Sequence, residues 1–217
     1  RRRQPRKRRQ VAEDGQELAV VATIRATIEA YRAYPVVTGL RDVRAWMSVR
    51  YIANKANPEG LGWLATAEYA NQSSYADGAD FIDADYLFLE GGVVWKGNTF
   101  KAGREQLGGD GQYGFQTPYA TLHAFNGWAD KFLTTPTDGL IDAYLGWSRK
   151  FGKIGATVVW HDFSADSGNS HYGREWDASL SWALDKRWTI LGKLADYRAD
   201  EYLADTTKLW MSVEYVY

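Results

Sequence analysis

The sequence contains no cysteine and only two methionines among 217 residues. Without thiols, both a disulfide-stapled small scaffold and a thiolate-held metal are excluded. No run of about 18 apolar residues occurs, which excludes a transmembrane helix, and the mean hydropathy is −0.44. A membrane protein is still allowed. A strand in a barrel wall shows lipid only every second side chain, so its mean hydropathy resembles that of a soluble protein. Histidine is scarce too. His123, His161 and His171 lie apart in different sequence company, which gives acid–base chemistry little to work with.

Aromatic residues are abundant, with 10 Trp and 14 Tyr contributing to a 15% aromatic share, alongside 21 Gly. Tyr and Trp suit a bilayer interface because one end of the ring system is apolar and the other seeks water. The net charge is −1, unevenly spread. The opening RRRQPRKRRQ holds seven basic residues and no acid, leaving 19 basic against 27 acidic residues in the remainder, a net of −8. That opening lacks interleaved aromatics, so a nucleic-acid role is not expected. Residues 1–17 are read as a basic, disordered or spurious extension. Val11-Ala-Glu-Asp-Gly follows instead of an apolar stretch, so an exported protein is expected to carry a signal segment further upstream.

Period-two alternation dominates the rest, 18–217. Leu18, Val20, Ala22, Ile24, Ala26 and Ile28 alternate with Thr23, Arg25, Thr27 and Glu29. The pattern returns around Val43–Val49, Trp63–Tyr69, Ile141–Trp147, Ile154–Trp160, Trp176–Trp182 and Met211–Tyr217, and more weakly over Asp85–Trp95, Thr99–Leu107 and Trp188–Arg198. Ten strands are predicted. From Tyr51 onward short links (Asn54–Gly60, Lys96–Asn98, Phe151–Lys153, Asp185–Arg187) take turns with long ones (Asn71–Asp83, Gly108–Gly139, Asp166–Gly173, Ala199–Thr206). An all-β, antiparallel, up-and-down transmembrane β-barrel predicts this rhythm, and a Greek-key sandwich does not. Trp63, Trp95, Trp147, Phe151, Trp182, Trp188 and Tyr217 gather near the short links, as one aromatic girdle would; Trp160, Trp176, Tyr197 and Trp210 are assigned to the other.

The polar face offers the pore-lining candidates. Arg25, Arg44, Arg50, Lys101, Lys150, Lys153 and Lys193 stand against Glu29, Glu68, Glu90, Glu105, Asp142, Glu175, Asp177 and Glu214, with His161 on the same face. Loop 108–139 is far longer than a turn requires. Its Phe115, Tyr119, Phe125, Trp128 and Phe132 are expected to fold into the barrel mouth, presenting His123, Asn126, Asp130 and Lys131 to solute. His161 and Asp162 are neighbours on one strand and point to opposite faces, so they do not pair as a hydrolase would need. No catalytic residue, metal or cofactor is assigned. The acidic pieces at Asp162–Asp166 and Asp196–Asp205 lack the spacing of a Ca²⁺ loop.

Several stretches resemble the alginate-export family of outer-membrane porins. They are Gly108-Gly-Asp-Gly, Phe115-Gln-Thr-Pro, Thr121-Leu-His-Ala-Phe-Asn-Gly-Trp-Ala-Asp-Lys-Phe-Leu-Thr-Thr-Pro136, Trp160-His-Asp-Phe-Ser-Ala-Asp166, Tyr172-Gly-Arg-Glu-Trp-Asp177, Ala195-Asp-Tyr-Arg-Ala-Asp200 and Asp205-Thr-Thr-Lys-Leu-Trp210. The resemblance covers about Gly62 to Tyr217. It implies a complete barrel of about 18 strands, of which these ten form the C-terminal part. It further implies a bacterial outer-membrane location, surrounding lipid, and a hydrophilic solute, with an anionic polysaccharide such as alginate as the family's cargo. The strand Lys208–Tyr217 resembles the C-terminal signal read by the barrel assembly machinery, with Ser212 where Gly is common. A barrel hydrolase and a structural or adhesive barrel with a plugged lumen are the competing readings.

Overall fold

The computed structural model describes residues 10–11, 17–32, 41–55, 60–74, 80–117 and 126–217, and up to residue 55 the backbone pairing alone. Eleven strands follow in chain order: β1 (Gln10–Val11), β2 (Glu17–Arg32), β3 (Arg41–Lys55), β4 (Leu61–Ser74), β5 (Asp83–Trp95), β6 (Asn98–Leu107), β7 (Leu140–Phe151), β8 (Ile154–Ser164), β9 (His171–Ala183), β10 (Trp188–Ala199) and β11 (Thr206–Tyr215). They form one antiparallel sheet in which each strand pairs with its sequence neighbours. The ten long strands are the ten the alternation predicts. The rhythm of short and long links is also as expected, and the long link falls at 108–139 between β6 and β7.

The short links are tight for a physical reason. At Lys96-Gly97 both residues have positive φ, 48° and 77°, the mirror-image turn whose twist matches the flanking strands. At the β9–β10 link, Asp185 Oδ1 accepts the N–H groups of Arg187 (2.7 Å) and Trp188 (3.0 Å), fixing the turn.

Register decides which side chains share a face. Glu68, Phe88, Glu105, Asp142 and Phe163 form one row across β4–β8. Tyr144, His161, Glu175 and Tyr197 form another across β7–β10. The opposite face carries exposed Leu89, Phe100, Leu145, Trp176, Leu180, Leu194, Leu209, Met211 and Val213. Large apolar groups left exposed in a continuous band mark a surface meant for something other than water. Toward the short links that band ends in Trp63, Trp95, Phe151, Trp182, Trp188 and Tyr215, all partly exposed.

The packed core lies on the polar, inner side at the long-link end. Phe115, Ala129 and Phe132 from the long loop join Leu140, Phe163, Tyr172 and Tyr197 there. Two girdle assignments are corrected. Tyr197 is fully buried in the row of Glu175, and Trp210 pairs with Lys193 on the same inner face. Lys153 leaves the lumen list as well. It sits in the β7–β8 turn, where its Nζ donates to the carbonyl of Leu184 at 2.7 Å.

Candidate functional site

The inner wall of β4–β9 carries a connected set of acids. Asp142 holds His161 through Nδ1 at 2.9 and 3.0 Å, and Asp177 lies 3.7 Å from the other ring nitrogen. Tyr144 donates its hydroxyl to Glu90 Oε2 (2.8 Å), and Lys101 Nζ meets both oxygens of Glu90 at 3.2 Å. Tyr86 donates to Glu105 Oε1 at 2.7 Å. The Tyr144 ring lies across Gly103, where a Cβ would come within 2.3 Å of it, so only glycine leaves room for that tyrosine.

The long loop folds onto this wall. Asn126 Nδ2 donates to Glu105 Oε2 at 2.7 Å. The consecutive N–H groups of Trp128 and Ala129 donate to Asp177 Oδ2 (3.0 Å) and Glu175 Oε1 (2.6 Å). Gly127, at φ +82°, would put a Cβ 2.6 Å from Glu175 Oε2. Its left-handed conformation and the close approach both require glycine. Phe132 packs against Phe163, Tyr172, Tyr197 and Tyr202 with ring centroids 4.6 to 6.3 Å away. Phe115 stacks on Tyr86 at 5.3 Å. On the far side, Gln72 in β4 ties the loop's other limb by accepting from the Gln116 N–H (2.9 Å) and the Tyr113 hydroxyl (2.8 Å).

Between loop and wall a cleft of about 560 Å³ remains, lined by Glu68, Glu90, Lys101, Glu105, Asp142 and His161 together with Tyr86, Tyr144, Asn126 and Trp128. Of the residues expected to line the pore, Glu68, Glu90, Lys101, Glu105, Asn126, Asp142 and His161 meet at this cleft. Glu175 and Asp177 are buried beneath the loop and hold it. Lys193 Nζ lies 4.1 Å from the ring centre of Trp128 and 5.4 Å from that of Trp210. Asp130 joins Lys208 at 2.7 Å, and Lys131 donates to the Ala204 carbonyl at 2.8 Å. Both therefore anchor the loop's returning limb to β11 and to the β10–β11 link. Register sets Arg25 opposite Ser48 and Arg44 opposite Glu29, but their side chains, and His123 altogether, lie outside the described residues. Tyr86, Tyr144 and Trp210 are inner-wall residues that the polar alternation does not mark.

His161 bonds Asp142, whereas Asp162, on the outer face, bonds His171 (3.0 Å) and Arg174 (3.0 Å). The two neighbours do point apart. Among the described residues neither histidine ring bonds a serine, and no three metal-ligating side chains converge.

The architecture has solved counterparts. OccAB4 of Acinetobacter baumannii superposes with a TM-score of 0.64 at 16% identity, over 96% of this chain and 56% of that one. OccK5 (OpdH) of Pseudomonas aeruginosa gives 0.56 at 13%, over 94% and 58%. Both are outer-membrane β-barrel porins. The fold is theirs. This chain spans little more than half the length of either. No family model and no curated protein matches the sequence, and neither solved counterpart is an alginate exporter by name.

Proposed function

We propose that the chain forms wall and constriction of a bacterial outer-membrane pore for passive passage of small hydrophilic solutes. The observation carrying this reading is the loop. Its Phe115 and Phe132 pack against the inner wall, and the N–H groups of Trp128 and Ala129 are held by Asp177 and Glu175, leaving an acid-rich cleft alongside. A loop fixed inside the lumen narrows a channel, and the charges beside it select what passes. The porin fold of the solved counterparts supports the same location and role. The terminal strand, which shows Leu209, Met211, Val213 and Tyr215 outward, supplies the alternation expected of a barrel assembly signal.

The cleft sets four carboxylates against Lys101 and His161. A polyuronate such as alginate would have to shed water against like charge there, so the favoured solutes are neutral or cationic. Planar-bilayer recordings test this. Discrete channel steps are expected, with a reversal potential in a KCl gradient that reports cation preference and a larger conductance once Gly114–Pro136 is removed. No steps, or a conductance indifferent to the deletion, overturns the reading.

A further inference from the structure

The outer face carries an apolar groove of about 300 Å³, lined by Phe100, Leu145, Trp147, Val158, Trp160 and Trp176, that passage through the lumen does not use. It opens because small residues alternate with large ones. Ala102 stands in register with Leu145, and Ala178 with Val158, leaving ledges between the rings. Leu145 and Trp176 are more than half exposed within the apolar band.

Two residues further toward the long-link end, about 7 Å along the strands, the register sets Arg104 opposite Ala143, Ala143 opposite Asp162, Asp162 opposite Arg174 and Arg174 opposite Arg198. A charged row thus runs directly above the groove. Arg174 spends its Nε on Asp162 at 3.0 Å and stays 59% exposed. Arg104 Nη1 donates to the neutral amide oxygen of Gln106 at 2.6 Å, and among the described residues no carboxylate pairs with it. Ala143, the smallest side chain of the row, stands between Arg104 and the Asp162–Arg174 pair. Guanidinium groups match phosphate oxygens with two parallel donors.

We propose that this groove and the row above it bind a phosphorylated glycolipid of the outer leaflet, with an acyl chain along Leu145, Trp160 and Trp176 and a phosphate between Arg104 and Arg174. The assignment rests on the membrane-spanning reading and adds a lipid site to it. The two guanidinium groups name the phosphate, Asp162 between them being already bonded to His171 and Arg174, and the step from apolar to charged row names the depth. Native mass spectrometry of the protein extracted from membranes in mild detergent tests it, with bis-phosphorylated lipid A, its phosphate-free form and phosphatidylglycerol as probes.

Selective retention of bis-phosphorylated lipid A is expected, weakened about tenfold in R104Q/R174Q, the loss of roughly one charge-assisted contact. W160A should weaken retention of the phosphate-free form as well. Equal retention of all three probes, preference for phosphatidylglycerol, or an unchanged R104Q/R174Q variant would overturn the site. Bilayer conductance of the same samples keeps the two ideas apart. Channel steps with no lipid preference remove only the lipid site, and lipid retention without steps removes only the pore.

Discussion

Single atoms decide how firmly the loop sits. Tyr197, fully buried, shares its one hydroxyl proton between the carbonyls of Tyr172 (2.7 Å) and Tyr202 (3.0 Å). Y197F leaves both without that donor and should cost about 1–3 kcal/mol, read from urea unfolding in lipid vesicles. Asp110 works from the loop itself. Its Oδ1 accepts the N–H groups of Tyr113 and Gln112, both at 2.8 Å, and these donors hold its carboxyl below the ordinary value. The stabilisation is therefore complete above the unfolded value of about 3.9 and lost as pH falls through the lower folded one. An NMR titration should place the Asp110 midpoint below the usual carboxylate range, and a midpoint at or above it would mean the turn does not form. At this scale the sequence is least legible. Tyr197 and Trp210 look like girdle residues by letter, yet each shares parity with a lysine, Lys193 and Lys208 respectively, and that parity places them inside. An aromatic letter alone does not say which face it takes. The need for glycine at 103 and 127 comes from rings and carboxylates brought close by register and by the folded loop, which no local pattern encodes.

At the scale of elements, strands and links were legible because a wall with one apolar face and one polar face forces period two on every strand. Boundaries were less so. The alternation around Val43–Val49 continues as β3 over Arg41–Lys55, where apolar Ile52 shares parity with Arg50 and blurs the contrast that marks a strand. Phe115 and Phe132 mark the loop as a segment that packs, and both lie in the inner-face core, but its anchors were not legible. Asn126, Asp130 and Lys131 read as groups offered to solute; Asn126 lines the cleft while also tying to Glu105, and Asp130 and Lys131 tie to Lys208 and Ala204. The strongest ties are the two consecutive N–H groups on Glu175 and Asp177. E175A/D177A removes both acceptors. Each buried N–H left without its acceptor costs about 1–3 kcal/mol, so tryptic cleavage after Lys131 should quicken at least about tenfold, with a rise in single-channel conductance. Cleavage at the wild-type rate would show that the aromatic packing alone seats the loop.

For the molecule as a whole, one physical arrangement ties sheet, band and loop together: apolar groups facing outward from a curved antiparallel wall, acids and the loop facing inward. Ser179 and Leu180 put it to the test from adjacent positions in β9. Leu180 is 55% exposed in the apolar band, whereas Ser179 pairs with Thr157 and Lys193 on the inner face. In a soluble two-layer protein, arginine at an exposed leucine costs little, and arginine at the enclosed neighbour costs much. In a bilayer the order reverses, because a charge on the lipid face has no water to solvate it while the lumen does. L180R should therefore lose about 2 kcal/mol of folding free energy in phospholipid vesicles, and S179R clearly less despite the lysine beside it. Both variants refolded in detergent micelles should lie closer together, since a micelle lets the long arginine stem carry its head to water. If S179R proved the more damaging of the two in vesicles, the greasy face would be the interior, and the barrel wall, its inward loop and the pore would all be wrong.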